Sequence, residues 1–352
     1  MRLYVFQSLP NNLIERFDVS QAAANFCFAL IDNNCFDKSL SLVPINVSES
    51  IKNRCSYKGV IFIQYRVFPH WKILKFLNNF VENIVIVKNA LKAKNIWFYN
   101  ITTTNLISII LLKYLFFKRV YAIIADYNPP SNRFSSENLI CWMINKMKGV
   151  ISLSARTDIQ NRNHVSLAGI IPSYKVNKFN IDLNNRKFLF SGILNNVNGI
   201  DMAIDIFSNI PEAELIITGK DNGIYEKIRG YKNIIFLGFL SKDEYERILE
   251  NITFCLSFRD PNLPENTNNF PSKTLEYLSQ GKIVISTIEY PELASLKYFY
   301  VPFTKEDIKL LVQDLLKMPS EKLMSFCNNQ MEVGAYFSES KWKSMISFIE
   351  QQ

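Results

Sequence analysis

The chain has 352 residues, 48% of them hydrophobic, so it is long and apolar enough to bury the cores of two domains. This composition excludes an intrinsically disordered protein. The formal net charge is +8, and the six cysteines are dispersed without a CxxC pair, which excludes the usual disulfide and zinc frameworks. Met1–Phe6 begins as a strand-like segment and not as a signal peptide, so we expect a cytoplasmic protein with reduced thiols.

The first half of the chain alternates short apolar runs with longer helical patterns. We predict strands at Arg2–Phe6, Gly59–Gln64, Ile84–Val87, Asn95–Phe98, Val120–Ala125 and Gly149–Leu153. We predict helices at Gln21–Ile31, Trp71–Phe80, Asn105–Phe116 and Ser136–Lys146. This alternation is typical of βαβ units that build a parallel sheet.

A basic and aromatic segment, residues 71–119, carries most of the excess positive charge. Between Trp71 and Ala125 eight Lys and Arg residues stand against one acid, Glu82, and aromatic residues are interleaved with them. This combination favours an anionic membrane surface or a lipid-linked phosphate, and a solvated basic face over a packed core is the alternative. No nucleic-acid-binding motif accompanies the charge, so we expect no nucleic acid partner. The apolar run Leu106–Phe117 is too short to span a bilayer, so we expect peripheral attachment at the inner face of the cell membrane.

A polar segment at 178–186 precedes a second alternating region. We predict strands at Lys187–Phe190, Glu214–Thr218, Ile234–Leu237, Thr253–Ser257 and Ile283–Ser286. We predict helices at Asp201–Ser208, Lys242–Glu250 and Pro271–Gln280. Two separate α/β sheets account for this pattern, and ligands of such sheets bind at the carboxyl ends of the strands.

The helix predicted at Pro271–Gln280 has the residues of an anion site. Pro271 suits the first helical position, and Gly281 suits the left-handed residue that follows a helix. The amides near Ser272 and Lys273 would then point outward with the positive end of the helix dipole. Glu276 shares their face, so phosphate on the amides and a diol on the carboxylate would suit a nucleotide sugar; an ordinary surface Lys–Glu pair is the alternative.

Four loops follow successive predicted strands of the second half. They are 191–201 with Gly192 and Gly199, 218–223 with Gly219 and Lys220, 236–240 with Gly238, and 258–261 with Arg259. Glycines allow the backbone to approach a ligand closely, and the arginine fork fits phosphate. Each signal is weak by itself, but together the four loops outline a nucleotide site at one sheet edge.

The second half resembles the donor-binding domain of GT-B glycosyltransferases, of the retaining group 1 kind that build bacterial surface polysaccharides. The resemblance covers residues 187–318, and its most specific part is Phe270-Pro-Ser-Lys-Thr-Leu-Glu-Tyr277. It implies an α/β protein with two Rossmann-like domains that face each other across a cleft. An acceptor domain would cover 1–180 and a donor domain 181–335, and a helix at 336–352 would pack back toward the first domain.

The resemblance also implies roles for individual residues. Glu276 would bind the ribose hydroxyls, Ser272 and Lys273 the diphosphate, and Asp126 would face the transferred sugar. The implied catalytic residues are Asp126, Arg259 and Lys273. The implied donor-binding residues are Gly192, Asn198, Gly199, Gly219, Lys220, Gly238, Asn268, Asn269, Phe270, Ser272 and Glu276.

The sequence departs from the family pattern at the sugar end. Asn268 stands where the first glutamate of the Glu-x7-Glu motif would fall, and the basic pair of the first glycine-rich loop is replaced by uncharged residues near Ile193 and Asn198. Arg259 and Lys273 are then left to offset the charge of the leaving diphosphate. No Asp-x-Asp follows a predicted strand, so we expect transfer without a metal or other cofactor.

The predicted function is hexosyl transfer, with retention, from a UDP-linked sugar to a lipid-linked acceptor in capsule or O-antigen type polysaccharide synthesis. Two alternatives remain at this point. One is a sugar-nucleotide epimerase, an activity that also occurs on this fold. The other is a non-catalytic nucleotide-sugar binder that serves a partner transferase.

Overall fold

The computed structural model describes residues 1–9, 21–46, 57, 59–67, 72–130, 135–171 and 182–352. They form two compact units. The first comprises Met1–Ile170, Asn268–Phe270 and Glu339–Gln352, and the second comprises Ile171–Thr267 and Pro271–Ser338.

The described part of the first unit contains a seven-stranded parallel sheet with the order β3-β2-β1-β4-β5-β6-β7. The strands are β1 (Arg2–Phe6), β2 (Lys38–Asn46), β3 (Val60–Val67), β4 (Asn95–Tyr99), β5 (Arg119–Ile124), β6 (Gly149–Ser152) and β7 (His164–Ser166). The helices are α1 (Gln21–Asp32), α2 (Lys72–Ala90), α3 (Leu106–Ile110), which continues as a π-helix (Leu111–Leu115), and α4 (Ser136–Lys146).

The residues described in the second unit contain a six-stranded parallel sheet with the order β10-β9-β8-β11-β12-β13. The strands are β8 (Phe188–Ser191), β9 (Leu215–Thr218), β10 (Ile234–Phe236), β11 (Phe254–Ser257), β12 (Ile283–Ser286) and β13 (Phe299–Tyr300). The helices are α5 (Ile200–Ser208), α6 (Ile224–Ile228), α7 (Lys242–Glu250), α8 (Pro264–Thr267), α9 (Ser272–Ser279), α10 (Lys305–Lys317), α11 (Ser320–Cys327) and α12 (Gln330–Tyr336). The last helix, α13 (Glu339–Gln351), is part of the first unit.

Both sheets have the doubly wound strand order of a Rossmann fold. In each sheet the strand order reverses beside the first strand, between β1 and β4 in the first unit and between β8 and β11 in the second. The predicted α/β class with two Rossmann-like sheets is therefore confirmed. Each reversal leaves a crevice outside the carboxyl ends of the strands, which is where ligands of such sheets bind.

The predicted strand at Ile84–Val87 is wrong, because these residues lie within α2. Burial along this stretch has a helical period: Glu82, Asn83, Ile86, Val87 and Ala90 are buried, whereas Ile84 is 48% exposed. The local run of β-branched residues favours a strand, but packing of one helix face outweighs that local preference. Strand β2 was not predicted, and the predicted helix at Asn105–Phe116 is a short α-helix that continues as a π-helix.

The helix α13 is anchored in the first unit by buried side chains. Trp342 is fully buried, packs edge-on against Phe26 at 4.9 Å and donates from its indole to the carbonyl of Gly169 at 3.1 Å. Near its end, Glu350 accepts from Arg2 at 2.7 Å and from the indole of Trp97 at 2.9 Å. The last residues of the chain are thereby joined to β1 and β4.

Candidate functional site

The candidate site of the second unit lies where the strand order reverses. The loops singled out in the sequence follow β8, β9, β10 and β11, and these strands are consecutive neighbours in the sheet. The carboxyl ends of parallel strands meet at one edge, so all four loops lie along the same edge of this sheet.

Backbone hydrogen bonds join the first three loops. The amide of Gly192 donates to the carbonyl of Thr218 at 3.0 Å, and the amide of Gly219 donates to that of Gly238 at 2.9 Å. Gly219 has a φ of +156°, and a Cβ there would lie 2.3 Å from the carbonyl oxygen of Gly192. The close approach of these loops therefore requires glycine at 219.

Gly199 brings the loop after β8 against the end of β11. Its φ is +76°, and a Cβ there would lie 2.3 Å from the carbonyl oxygen of Phe258. The preceding turn is closed by Asn195, whose side chain accepts from the backbone amide of Asn198 at 3.0 Å and from its side-chain amide at 2.7 Å. Asn198, a predicted donor-binding residue, thus contributes to the shape of the loop.

Helix α9 is one residue shorter at each end than predicted. Pro271 stands at the N-cap with φ −82° and ψ 72°, and not at the first helical position. The carbonyl of Pro271 accepts the first helical hydrogen bond, from the backbone amide of Leu275 at 3.2 Å, but its ψ is not helical. This combination is the geometry of an N-cap residue. Gly281 has the predicted left-handed conformation, with φ 71°.

The amino end of α9 presents unused donors. The backbone amides of Ser272 and Lys273 donate to no acceptor among the described residues. The first amides of a helix have no partner within the helix, and the helix dipole places positive potential around them. This end of α9 can therefore bind an anionic group.

Lys273 extends from α9 to the loop after β8. Its Nζ donates to Oγ of Ser191 at 3.1 Å, and a Cβ on Gly192 would lie 3.0 Å from that Nζ. The pKa of Lys273 is lowered from 10.5 to about 8, mainly by desolvation; Glu276 opposes this shift and Arg259 adds to it. The ammonium is thus held at the glycine-rich loop in an environment that does not neutralise it fully.

Arg259 lies at the adjacent strand end with its backbone fixed on both sides. Its amide donates to Oγ1 of Thr287 at 2.7 Å, and that hydroxyl donates to the carbonyl of Arg259 at 2.7 Å. Its half-buried guanidinium makes no hydrogen bond or ion pair with the described part of the chain and lies close enough to Lys273 to lower the pKa of that lysine. Two neighbouring cations without a full counter-charge are suited to a diphosphate.

Glu276 lies one turn after Lys273 on α9. The carboxylate is half-buried and accepts no hydrogen bond within the described ranges, and Lys273 is an electrostatic neighbour. Its two oxygens are therefore available to accept from a pair of hydroxyl groups. Of the remaining predicted residues in this unit, Ser272 and Lys220 are exposed, and Gly238 is half-buried with φ +72°.

Sequence reasoning missed side chains that hold the site together. Ser191 fixes Lys273, and Asn266 is 2% exposed and donates to the carbonyls of Val197 and Asp260 at 3.0 and 3.1 Å. Asn266 therefore ties the segment before α9 to the loop after β8. Ser191 stands in a motif that the sequence singled out, but no signal separates Asn266 from the other asparagines of 262–269.

In the first unit, Asp126 lies in the loop after β5. Its Oδ2 accepts from Nδ2 of Asn100 at 2.9 Å. The side chain is exposed, yet surrounding protein atoms desolvate the carboxylate and raise its pKa, and the bond from Asn100 partly offsets this rise. The next residue, Tyr127, donates its backbone amide to Oδ1 of Asn269 at 2.9 Å. Asn268 is half-buried and Phe270 is buried.

Metal-binding side chains do not cluster among the described residues. No group of three His, Cys, Asp or Glu side chains within the ranges described above is close enough to hold an ion. Independence from a metal stays a prediction.

Comparison with known proteins finds a family match in the second half of the chain. Residues 185–317 match the family model described as Glycosyl transferases group 1. No curated protein sequence matches the chain.

Solved structures resemble the chain over its whole length. HepE from Anabaena, in complex with UDP and glucose, aligns with a TM-score of 0.72 and 13% identity over 100% of this chain and 99% of that one. Sucrose-phosphate synthase from Thermosynechococcus elongatus aligns with a TM-score of 0.74 and 12% identity over 100% and 99%. A putative UDP-N-acetylglucosamine 2-epimerase from Listeria monocytogenes aligns with a TM-score of 0.60 and 11% identity over 98% and 95%. Residues 185–317 therefore form a glycosyl transferases group 1 domain, and the chain has the GT-B fold.

Proposed function

We propose that the protein is a glycosyltransferase that moves a hexose from a UDP-linked donor to a lipid-linked glycan acceptor, with retention of configuration. The observation that carries this proposal is the amino end of α9. It combines backbone amides that donate to no acceptor among the described residues, Lys273 held at the glycine-rich loop by Ser191, and Glu276 one turn away, which accepts no hydrogen bond within the same ranges. Amides and cation suit a diphosphate, and the carboxylate suits the ribose hydroxyls of the same nucleotide.

The chemistry of transfer needs stabilisation of the leaving nucleoside diphosphate. Arg259 lies close enough to Lys273 to lower the pKa of that lysine, and a diphosphate between the two cations would relieve their repulsion. Negative charge that develops on the leaving group would then strengthen contacts that are already in place. Because cations of the chain supply this stabilisation, the proposal includes transfer without a metal ion.

Asp126 is the proposed residue at the transferred sugar. Surrounding protein atoms desolvate the carboxylate of Asp126 and raise its pKa. Asn100 donates a hydrogen bond that orients this carboxylate. An ionised carboxylate in this position would stabilise positive charge that develops on the sugar ring in the transition state. Its role in acceptor or sugar recognition rests on the family resemblance.

The UDP preference and the acceptor class are proposals of different origin. HepE was solved with UDP and glucose, which supports uridine as the nucleoside of the donor. The lipid-linked acceptor rests on the resemblance to enzymes of surface-polysaccharide synthesis and on the basic and aromatic segment.

A thermal-shift screen tests the nucleotide site. UDP at a hundredfold excess over its Kd should stabilise the protein by about 2.7 kcal/mol. Glu276→Gln should weaken UDP binding by about tenfold or more, because a hydrogen bond to a charged group contributes about 1.5–3 kcal/mol. Glu321→Gln, an exposed change on α11, is the matched control and should bind UDP normally. If neither UDP nor GDP shifts the melting temperature, the site assignment is wrong.

Mass spectrometry of the products separates transfer from the alternatives. A transferase moves the hexose of the UDP-sugar to a lipid-linked saccharide and releases UDP. Conversion of the UDP-sugar to an isomer without any acceptor would instead favour an epimerase, as in the Listeria neighbour with the same fold. UDP binding with no turnover of any donor or acceptor tested would favour a non-catalytic binder.

A further inference from the structure

An exposed apolar tip follows the π-helix of the first unit. Leu115, Phe116 and Phe117 are 61%, 39% and 85% exposed. Hydrogen bonds from the backbone amide of Phe116 to Leu111 and from that of Lys118 to Leu112, at 3.0 and 2.8 Å, give this tip a defined turn. Three consecutive large apolar side chains are therefore held in solvent by ordered backbone.

Phe117 also has an unfavourable backbone conformation. Its φ is +51°, in the left-handed region that glycine and asparagine tolerate best. A bulky residue there is strained, because its Cβ lies too close to the following carbonyl oxygen. An aromatic ring that is both strained and exposed contributes nothing to the core, which points to a contact outside the chain.

The tip continues into an exposed stripe along α2. Phe80, Val81, Ile84 and Leu91 are 47%, 57%, 48% and 40% exposed. Their spacing of three, four and seven residues places them on one face of the helix and of the turn after it. Lys88 and Lys92 are exposed along the same stripe.

Side chains connect α2 to residues 104–108, which precede the π-helix, and to the end of the tip. At one end, Asn83 accepts from the backbone amide of Ser108 at 2.6 Å and donates to the carbonyl of Thr104 at 2.7 Å. At the other end, Nζ of Lys118 donates to the carbonyl of Leu91 at 2.5 Å. The stripe and the tip therefore form one surface, here called the α2–π surface: Phe80, Val81, Ile84, Lys88, Leu91, Lys92 and 113–119.

The α2–π surface has charge of one sign. Lys88, Lys92 and Arg119 are exposed, and Lys113 and Lys118 are half-buried. The pKa of Lys113 is lowered by desolvation and by Lys146 and Lys148, so further cations lie nearby. The single acid of 72–119, Glu82, is 1% exposed and does not reach the surface.

We infer that the α2–π surface docks on an anionic lipid bilayer, with Phe117 in the interfacial layer and the lysines at the headgroups. Aromatic and aliphatic side chains flanked by cations, without acids, match that environment. No helix in the described ranges is long and apolar enough to cross a bilayer, so the attachment is interfacial. Trp71, at the start of the basic and aromatic segment, lies outside the described residues.

Vesicle co-sedimentation of the full chain tests the inference. The protein should bind vesicles of phosphatidylcholine and phosphatidylglycerol more tightly than vesicles of phosphatidylcholine alone, and added salt should weaken the binding. Phe117→Asn should reduce binding by about tenfold or more, from the lost burial of one aromatic ring. The double variant Lys88→Gln/Lys92→Gln should lose about fivefold in affinity for anionic vesicles for each charge removed.

The Phe117→Asn variant is designed to separate docking from folding. Asparagine tolerates φ +51°, so its melting temperature should equal or exceed that of the wild type. Met331→Asn, at an 86% exposed position on α12, is the matched control and should bind vesicles normally. The UDP-induced thermal shift should be unchanged in all three variants, so failure of this inference leaves the proposed function standing.

Three outcomes would overturn the inference. One is equal binding of Phe117→Asn and wild type to anionic vesicles. A second is absence of wild-type binding to those vesicles. The third is a dimeric wild type in solution that becomes monomeric with Phe117→Asn and shows no vesicle dependence, which would make the α2–π surface a protein interface.

Discussion

The side chain of Asn100 fixes both the backbone and the carboxylate of Asp126. Its Nδ2 donates to Oδ2 of Asp126 at 2.9 Å, and its Oδ1 accepts from the amides of Ala125 and Asp126 at 2.7 and 3.2 Å. Asn100 itself has φ +55°, a conformation that asparagine tolerates. One amide group at the end of β4 thus positions the residue that we propose for catalysis at the end of β5.

Loss of this amide should lower turnover more than donor binding. Asn100→Gly keeps the backbone conformation and removes the hydrogen bonds, so kcat should fall about tenfold or more while the donor KM changes little. Because the bond from Asn100 lowers the pKa of Asp126, the acidic limb of the pH–rate profile should move to higher pH. Asn34→Gly, at another asparagine with positive φ, is the control. An unchanged profile, or a higher KM alone, would argue against a positioning role.

UDP affinity should depend on the protonation of Lys273. The pKa of this lysine is about 8 in the folded protein, and a bound diphosphate would raise it. Affinity should therefore fall as pH rises above about 8, and binding near this pH should take up a proton. Isothermal titration calorimetry in buffers of different ionisation enthalpy measures both effects. A Kd that is constant from neutral to alkaline pH would contradict the assignment.

The same lysine should destabilise the protein without ligand. Its pKa is lowered from 10.5 in the unfolded chain to about 8 in the folded protein. The destabilising effect of this lysine is therefore full below about pH 8, and the free energy of unfolding rises as pH increases from about 8 to about 10.5. Lys273→Met should accordingly melt at or above the wild-type temperature near neutral pH while losing the UDP-induced shift. Lys322→Met, an exposed change on α11, should alter neither. A large drop in melting temperature for Lys273→Met would show that the lysine is structural.

Gly199 and Gly223 form a matched pair for the shape of the glycine-rich loops. Both have φ +76°, but a Cβ on Gly199 would meet the carbonyl of Phe258 at 2.3 Å, whereas a Cβ on Gly223 would meet nothing within 4 Å. Gly223→Ala should cost about 1–2 kcal/mol of stability from backbone strain alone. Gly199→Ala should cost about 1–3 kcal/mol more from overpacking, and it should also weaken UDP binding. Urea unfolding measures the difference, and equal costs would mean that the loop can move away from β11.

Glu82 should make stability depend on pH in the acidic range. Burial raises its pKa from 4.5 to about 7, and its Oε2 has no hydrogen-bond partner in the structure described. The folded state holds this proton more tightly, so the free energy of unfolding should fall as pH rises from about 4.5 to about 7. Glu82→Gln should remove this dependence and should stabilise the protein above pH 7 by about 3 kcal/mol. The two proteins should be equally stable below about pH 4.5; a difference that persists there would point to packing.

Much of the fold was predictable because its signals are local. The bounds of α9 follow to within one residue at each end from Pro271 and Gly281, whose backbone preferences act at single positions. The failure at Ile84–Val87 has the opposite origin. Four β-branched residues favour a strand locally, and only the partners that bury Ile86 and Val87 decide for a helix.

The residues of the candidate site show the same difference between local signals and contacts with distant residues. Lys273, Glu276 and Arg259 stand out in the sequence because charged residues beside helix and strand ends have a recognisable chemistry. Their supports do not stand out: Ser191 is 82 positions from Lys273. Asn266 and Asn100 are two asparagines among many. Nothing along the chain distinguishes a supporting amide from a solvated one until strand order brings distant loops together.

The sequence by itself determined the alternating α/β pattern, the glycine-rich loops after successive strands and the chemistry of α9, since each depends on neighbouring residues or on backbone conformation at one position. Only the tertiary structure decided that β8 and β11 adjoin, that Lys273 meets Ser191, that Asn100 holds Asp126, and that Phe117 is exposed. The physical reason is that side-chain pairing and burial depend on strand order and packing between distant segments, and those terms are absent from any local stretch of chain.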